Sequence, residues 1–315
     1  MRTLAMATIM LMGMVSCSAN IDSPSSGKLR IKVAEATDSE GIEKMDIFIF
    51  NEIGALEKEA TIDLGQNVPS AETELSVKTG TKDIYILANM ESSLSSIATV
   101  SDLMSGRISM GDKGFNGGSL PMSGTISGVK VISSNNNSCS TPLKRFPSRV
   151  HIGTLINEME CSLSDIRFRL SNGAGDCGFS ESEEPSVWFN KIYSLGSDIT
   201  APEDIVLEED LAGGGKLTIN ECLFCFPNHT ANDTFSGNSF TPRKTRLVMS
   251  SSISGRTYYY PVTFDSIDRN TSYSVNLVIR NLGSSDPDIP ISSDILSAVI
   301  VPLPWYGPFT IEETL

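Results

Sequence analysis

Residues 257–280 read TYYYPVTFDSIDRNTSYSVNLVIR, and this stretch decides the class of fold. Two runs rich in aromatic and branched side chains, Thr257–Phe264 and Tyr273–Arg280, flank the turn-forming group Asp268-Arg269-Asn270. Aromatic and β-branched residues favour strands, and Asn tolerates the left-handed backbone that tight turns require. Three consecutive tyrosines place rings on both faces, which suits a strand that is covered on both sides. The stretch therefore predicts two strands joined by a turn.

Working outward, the same period-two pattern recurs along the chain, broken by clusters of Gly, Asn, Asp and Ser. Short, frequent strands are typical of β-sandwiches, so we expect an all-β protein with at most one short helix, near Ser93–Ser105. Further strands are predicted at Leu29–Glu35, Met45–Phe50, Glu74–Lys78, Asp83–Ala88, Thr125–Ile132, Arg149–Leu155, Ser164–Leu170, Ser186–Ile192, Lys216–Phe226, Thr245–Ser250 and Leu296–Leu303. The polar stretch Ser133–Ser138 cannot pack a core, and we place a domain division near residue 146.

The first residues have the pattern of an export signal. Arg2 precedes an uncharged run, Leu4–Val15, which is too short to span a bilayer. The run ends Ser16-Cys17, and a small residue before a cysteine is what a lipoprotein signal peptidase requires. We therefore expect cleavage between Ser16 and Cys17, lipidation of Cys17 and a membrane-attached mature chain; the alternative is an ordinary secretory signal. The expected division is 1–16 signal peptide, 17–28 tether, 29–146 first sandwich and 147–315 second sandwich.

Charge and residue counts exclude several classes of function. The formal net charge is −14, from 38 acidic and 24 basic residues, which argues against a nucleic-acid partner. Only two histidines are present, and no phosphate loop, nucleophile elbow or metal-ligand spacing is complete. We therefore expect no enzyme, no catalytic residues, no cofactor and no metal. Cys139, Cys161, Cys177, Cys222 and Cys225 remain after lipidation, an odd number whose pairing the sequence leaves open.

An ordered set of short motifs resembles a known family. The stretch Tyr258–Phe264, the turn before Tyr273, the group Asp286-Pro287-Asp288 and a last strand ending Pro304-Trp305 follow one another as in the Bacteroidales fimbrillins, the type V pilins. Three earlier segments are also similar to that family, namely Asp83–Asn89 (DIYILAN), Leu120–Gly124 (LPMSG) and Lys144–Ile152. Together they cover most of residues 29–310.

The resemblance implies a fold and a function. Two transthyretin-like β-sandwiches in tandem are expected, in a structural subunit of surface fimbriae that reaches the outer membrane as an acylated lipoprotein. Assembly by donor-strand exchange is implied, in which a neighbour's strand replaces the first strand. The partners would be other fimbrial subunits, membrane lipid through Cys17 and a host or bacterial surface ligand. The displaceable first strand would carry Leu29, Ile31 and Val33, and the donor strand Ile295, Val299, Val301, Leu303 and Trp305.

Two questions stay open at this point. The loop at residues 36–43 (ATDSEGIE) lacks the arginine at which relatives are cleaved, so another protease acts or the subunit stays uncleaved as an anchor; a tip role is the third alternative. A surface lipoprotein that binds glycan or a host ligand without polymerising is the rival function.

Overall fold

The computed structural model describes residues 25–305 except 36–40, 92–93, 95, 112–118, 134–136, 181–182, 194–195 and 235–239. This described part is nearly all β, with one helix of five residues, which confirms the predicted class. The elements are β1 (Ser26–Glu35), β2 (Ile42–Asn51), β3 (Leu56–Val68), β4 (Ser70–Lys78), β5 (Gly80–Ala88), α1 (Val100–Met104), β6 (Arg107–Ser109), β7 (Met122–Val131), β8 (Asn137–Arg145), β9 (Ser148–Asn157), β10 (Ser164–Ser171), β11 (Gly173–Ala174), β12 (Asp176–Gly178), β13 (Trp188–Phe189), β14 (Ile205–Val206), β15 (Lys216–Cys225), β16 (Arg246–Ile253), β17 (Arg256–Thr263), β18 (Thr271–Ile279) and β19 (Leu296–Pro304). None of the described helices is long and apolar enough to cross a bilayer.

The first half of the chain, up to the end of β8 at Arg145, contains one large sheet that is folded into a sandwich. Its strand order is β3-β2-β5-β7-β8-β1-β4, and β7 pairs with β8 only at two positions, Met122–Arg145 and Ser123–Lys144. Strands β1 and β2 stand four places apart in this order, yet their apolar side chains share one buried cluster. The sheet therefore bends at the short β7–β8 contact, and its two wings face each other.

The second half is built from two four-stranded sheets. Their orders are β15-β9-β18-β19 and β14-β10-β16-β17, and the inward side chains of both form a single cluster. Tyr260 is completely buried in that cluster, while Tyr258 and Tyr259 are half-buried. Asn270 has φ 54°, the left-handed conformation expected for the turn into β18.

Contacts across the junction tie the halves together. Strand β2 is covered on both faces, because Ile47 and Ile49 lie in the first core while Phe48 and Phe50 lie in the second. Strand β6 of the first half pairs with β12 of the second. The guanidinium of Arg269 stacks 3.8 Å from the ring centroid of Phe146.

Two predicted elements are shorter than the sequence suggested. The helix begins only after Thr99, whose hydroxyl accepts from the Asp102 amide in a capping box, since the preceding chain pairs in extended form with the start of β3. The strand predicted at Ser186–Ile192 is confined to Trp188–Phe189, because Asn190 and Tyr193 have positive φ and turn the chain. The pattern missed β3 and β8 altogether.

Candidate functional site

Strand β1 is the first strand of the described residues, but it lies inside the sheet. It pairs antiparallel with β4 on one side and parallel with β8 on the other. Leu29, Ile31 and Val33 point into the first core and are at most 1% exposed. The three candidate residues of the first strand are therefore every second residue of β1, and each fills a pocket of the core. We call such side chains plugs.

The opposite face of β1 carries cations that meet carboxylates of β4. The ammonium of Lys28 lies 2.8 Å from Glu74, and the guanidinium of Arg30 lies 3.2 Å from Glu72 and 3.8 Å from Glu74. The hydrogen bond from Lys28 lowers the pKa of Glu74 below its ordinary value. On the β8 side the neighbours of this face are Ser138 and Ser140. The rim above β1 is therefore acidic on one side and neutral on the other.

Gly27 sets the entrance of the strand. A Cβ built at this position would collide with the carbonyl oxygen of Ile132. Since backbone rather than a flexible side chain blocks the space, only glycine fits at this point of the groove without a shift of the neighbouring chain. No pattern in the sequence indicated this residue.

Strand β19 has the opposite arrangement, since it pairs with β18 alone among the described residues. Its inward residue Leu296 is buried, whereas Val299, Val301 and Leu303 are exposed by 55%, 40% and 52%. Ile295, the first donor candidate, is partly buried against the second core. The strand thus presents three apolar side chains in a row to the surface.

The backbone of β19 explains its two prolines. The Trp305 amide donates to the carbonyl of Asn270 at one end, and the Ile295 carbonyl accepts from the Arg280 amide at the other. In an antiparallel ladder bonded pairs alternate, so the odd-numbered residues bond to β18. Pro302 and Pro304 are even-numbered, and their missing N–H groups would have faced the open edge.

Trp305 lies just after β19 and is completely buried. Its ring contacts the guanidinium groups of Arg145 and Arg149, at 4.6 and 4.5 Å from the ring centroid, and stacks on Phe224 at 5.9 Å. Arg145 also donates to the Trp305 carbonyl. We call this arrangement the Trp305 clamp. It closes the end of β19 against the junction of the halves, so a donor role for Trp305 would require its release.

A second feature absent from the predictions fixes the loop before β19. Arg243 and Arg246, both almost completely buried, each lie 2.6 Å from a carboxylate oxygen of Asp288, and Asp233 joins them at the rim. The sequence indicated only a turn at Asp286-Pro287-Asp288. Charges that pair across 45 residues leave no local pattern by which they could have been found.

Groups that would support catalysis or metal binding are dispersed. His229 pairs with Asp268 at 3.0 Å beside a cleft of about 660 Å³ at the junction of the halves, and His151 is half-buried with its pKa lowered first by burial and then by Arg149. The described residues contain no cluster of three or more metal-ligating side chains. Trp188 is 3% exposed, so neither tryptophan offers a platform for a sugar ring. The cysteine and serine of the proposed signal junction, Cys17 and Ser16, lie outside the described residues.

Comparison with known proteins connects this geometry to a family. The model of the family "Major fimbrial subunit protein (FimA)" matches residues 25–154, which include β1 and its groove and amount to less than half of the chain. No curated protein matches the sequence.

Solved structures of similar fold cover 89–91% of this chain. A fimbrilin of Porphyromonas gingivalis W83 shares 13% identity with a TM-score of 0.65, covering 91% of this chain and 99% of that one. The tip fimbrial protein Mfa3 of Porphyromonas gingivalis, truncated at its C-terminus, shares 14% identity with a TM-score of 0.61, covering 89% and 100%. At this identity the likeness shows a common fold. The predicted resemblance to the fimbrillins is confirmed, by the family model in the first half and by the fold throughout.

Proposed function

We propose that this chain is a structural subunit of cell-surface fimbriae, exported as a lipoprotein through Cys17 to the outer membrane and assembled by donor-strand exchange. The observation that carries the proposal is β1, a strand at the start of the described chain that fills a groove between β4 and β8 with three aliphatic plugs. The family match over this segment supports the same conclusion.

The energetics suit an exchange. Burying Leu29, Ile31 and Val33 contributes about 1.5–3 kcal/mol per side chain, or about 5–9 kcal/mol together. Removal of β1 would uncover this apolar surface and the ladder groups of both neighbouring strands. An incoming strand with three plugs at the same spacing would recover both terms, so main-chain bonds and pockets would fix its register.

Strand β19 is the donor in this proposal. Its exposed residues Val299, Val301 and Leu303 are spaced as the plugs of β1 are, and its edge position means that only one ladder must break before it leaves. Head-to-tail insertion of one subunit's donor into the next subunit would not close on itself and would build a filament.

The test uses the exposure of the donor side chains. A variant carrying Val299→Ser, Val301→Ser and Leu303→Ser should fold with nearly unchanged stability, because these side chains are already in solvent. Expressed in a fimbriated host, it should fail to enter the protease-resistant multimer ladders that wild type forms on gels. The matched control is Ile53→Ser, Val206→Ser and Leu282→Ser, three apolar side chains outside β1 and β19 that are exposed by 83%, 48% and 47%.

Mass spectrometry of the mature N-terminus on the same cells checks export. An acylated Cys17 in the precursor is expected, and Cys17→Ala should leave it unprocessed. Normal ladders from the triple serine variant would contradict the donor assignment, and a fatty-acid label retained by Cys17→Ala would contradict lipidation at that residue.

A further inference from the structure

We infer that the strand which takes the place of β1 comes from a different subunit, one whose donor strand alternates aliphatic and basic residues, and not from the C-terminal strand of a second copy of this chain. The inference rests on the proposed function and names the partner of the same groove. Three features of the groove carry it: the pockets, the glycine position and the charge of the rim.

The pockets and the entrance define a template of four alternate positions. These positions hold Gly27, Leu29, Ile31 and Val33. A replacement strand therefore needs glycine first and then three branched aliphatic side chains of similar volume. A larger first residue meets the backbone carbonyl of Ile132, and a polar group in any of the three pockets would be buried without a partner.

The positions between the plugs face the acidic rim. Lys28 and Arg30 pair with Glu72 and Glu74, and Lys32 lies opposite Glu72 in the register. When β1 leaves, the two glutamates remain without these cations, while the β8 side stays neutral. A strand with cations at these positions gains attraction, and one with acidic groups meets like charges directly opposite, which is destabilising.

The proposed donor of this chain lacks the required charge. Arg280 is the last basic residue, and positions 281–315 contain neither Lys nor Arg. This holds for either direction of insertion and for every register. The C-terminal donor strand of a second copy therefore cannot rebuild the ion pairs of β1.

Placing the two apolar parts of that donor on the template shows further mismatches. Ser297 to Leu303 fills the three pockets but puts serine at the glycine position and Pro302 where Lys32 stands, within a strand that has neighbours on both sides. Gly307 to Glu313 supplies the glycine but buries the Glu313 carboxylate in the pocket of Val33. The β1 groove of this chain and its C-terminal donor strand are therefore suited to two different partner subunits.

The experiment measures strand selection in the full chain. A protease site inserted between Glu35 and Gly41 is cut after folding, so that β1 is held without a covalent link. Three labelled peptides then compete for the groove: Ser26–Glu35 itself, the same peptide with Lys28→Glu, Arg30→Glu and Lys32→Glu, and Leu296–Glu313 of this chain. Fluorescence anisotropy gives the affinity of each.

The β1 peptide should bind about tenfold more tightly than the acidic peptide at low salt, with a smaller ratio in 1 M NaCl, since the rim charges are exposed. The Leu296–Glu313 peptide should also bind at least about tenfold more weakly than the β1 peptide, by the loss of cations and the poor fit at the pockets. In an acceptor with Glu72→Lys and Glu74→Lys, the preference between the first two peptides should invert.

Equal binding of the Leu296–Glu313 and β1 peptides would overturn the inference and leave strand exchange standing. Failure of all three peptides to enter would overturn the proposed exchange and the inference with it. A graft in the uncut chain is independent of exchange: replacing residues 27–33 by the sequence of 297–303 should lower the unfolding midpoint. An unchanged midpoint would likewise show that the chain's own donor fits the groove.

Discussion

Replacing Trp305 by alanine should release the end of β19 and destabilise the second half of the molecule. The side chain is completely buried against two guanidinium groups and Phe224. Its amide and carbonyl bonds to Asn270 and Arg145 are made by the backbone, so alanine can keep them. The perturbation therefore removes the ring and little else.

The magnitude follows from the burial and the ring contacts. Truncating a buried tryptophan to alanine costs about 3–5 kcal/mol, and each guanidinium–ring contact contributes about 0.5–2 kcal/mol within that sum. The indole nitrogen of Trp305 has no hydrogen-bond partner among the residues that the structure describes, and loss of this buried unsatisfied group returns about 1–3 kcal/mol. We expect a net loss of about 2 kcal/mol for Trp305→Ala, and about half of it for Trp305→Phe, which keeps an aromatic face.

Urea unfolding followed by circular dichroism measures this loss, and amide hydrogen exchange locates it. Since the odd-numbered amides of β19 bond to β18, exchange at Val299, Val301 and Leu303 should accelerate more in Trp305→Ala than exchange in β1. A loss below about 1 kcal/mol, or acceleration spread evenly over both halves, would refute the view that the Trp305 clamp holds the strand.

Three further predictions follow from buried polar groups. Asp288→Ala should lower stability by about 3–5 kcal/mol, because it leaves two buried guanidinium groups without their main counter-charge; the exposed Asp265→Ala is the control, and equal unfolding midpoints for the two variants would contradict the prediction. Cys177 and Cys225, whose pKa burial raises to about 12, should resist a thiol reagent at pH 8 until the protein is unfolded, as peptide mapping would report. Burial alone would raise the pKa of Asp176, but its hydrogen bonds lower it overall, so this carboxylate stabilises the fold at pH 7 and loses its contribution as the pH falls through its folded pKa. The stability difference between wild type and Asp176→Asn should therefore shrink below about pH 4 in urea titrations, and a difference that grows there would contradict the sign.

The strands that the sequence predicted carry several apolar side chains on at least one face. Met45–Phe50 shows this clearly, since both faces are buried and nearly every side chain is apolar. Strand β3 escaped prediction because it lies at an edge and its side chains are mostly charged or exposed. Strand β8 escaped because it has few apolar side chains and holds its place through pairing with β1. A strand with a weak apolar pattern can thus be held by the strands beside it. The periodicity of its own sequence does not show which strands these are.

The candidate site divides in the same way. Alternation within single strands indicated the apolar rows of β1 and β19, and the resemblance to the fimbrillins singled out these two strands. The Trp305 clamp joins Arg145 to a residue 160 positions later, and the collision at Gly27 involves the carbonyl of Ile132, just after β7. Such contacts depend on the fold as a whole, so residue spacing could not reveal them.

The edge of β19 shows how a strand can be available to a partner without promoting aggregation. An open edge normally presents alternate N–H groups to any other strand. Here Pro302 and Pro304 occupy two of the outward positions, and the Leu296 amide already donates to the Ser292 carbonyl, so the outward donors that remain belong to Ala298 and Ile300. The C-terminal part of the edge therefore cannot be extended by simple pairing, while the exposed side chains on its face stay free. A strand of this kind engages a partner by leaving its sheet and entering a groove, and the Trp305 clamp is the contact that must open first.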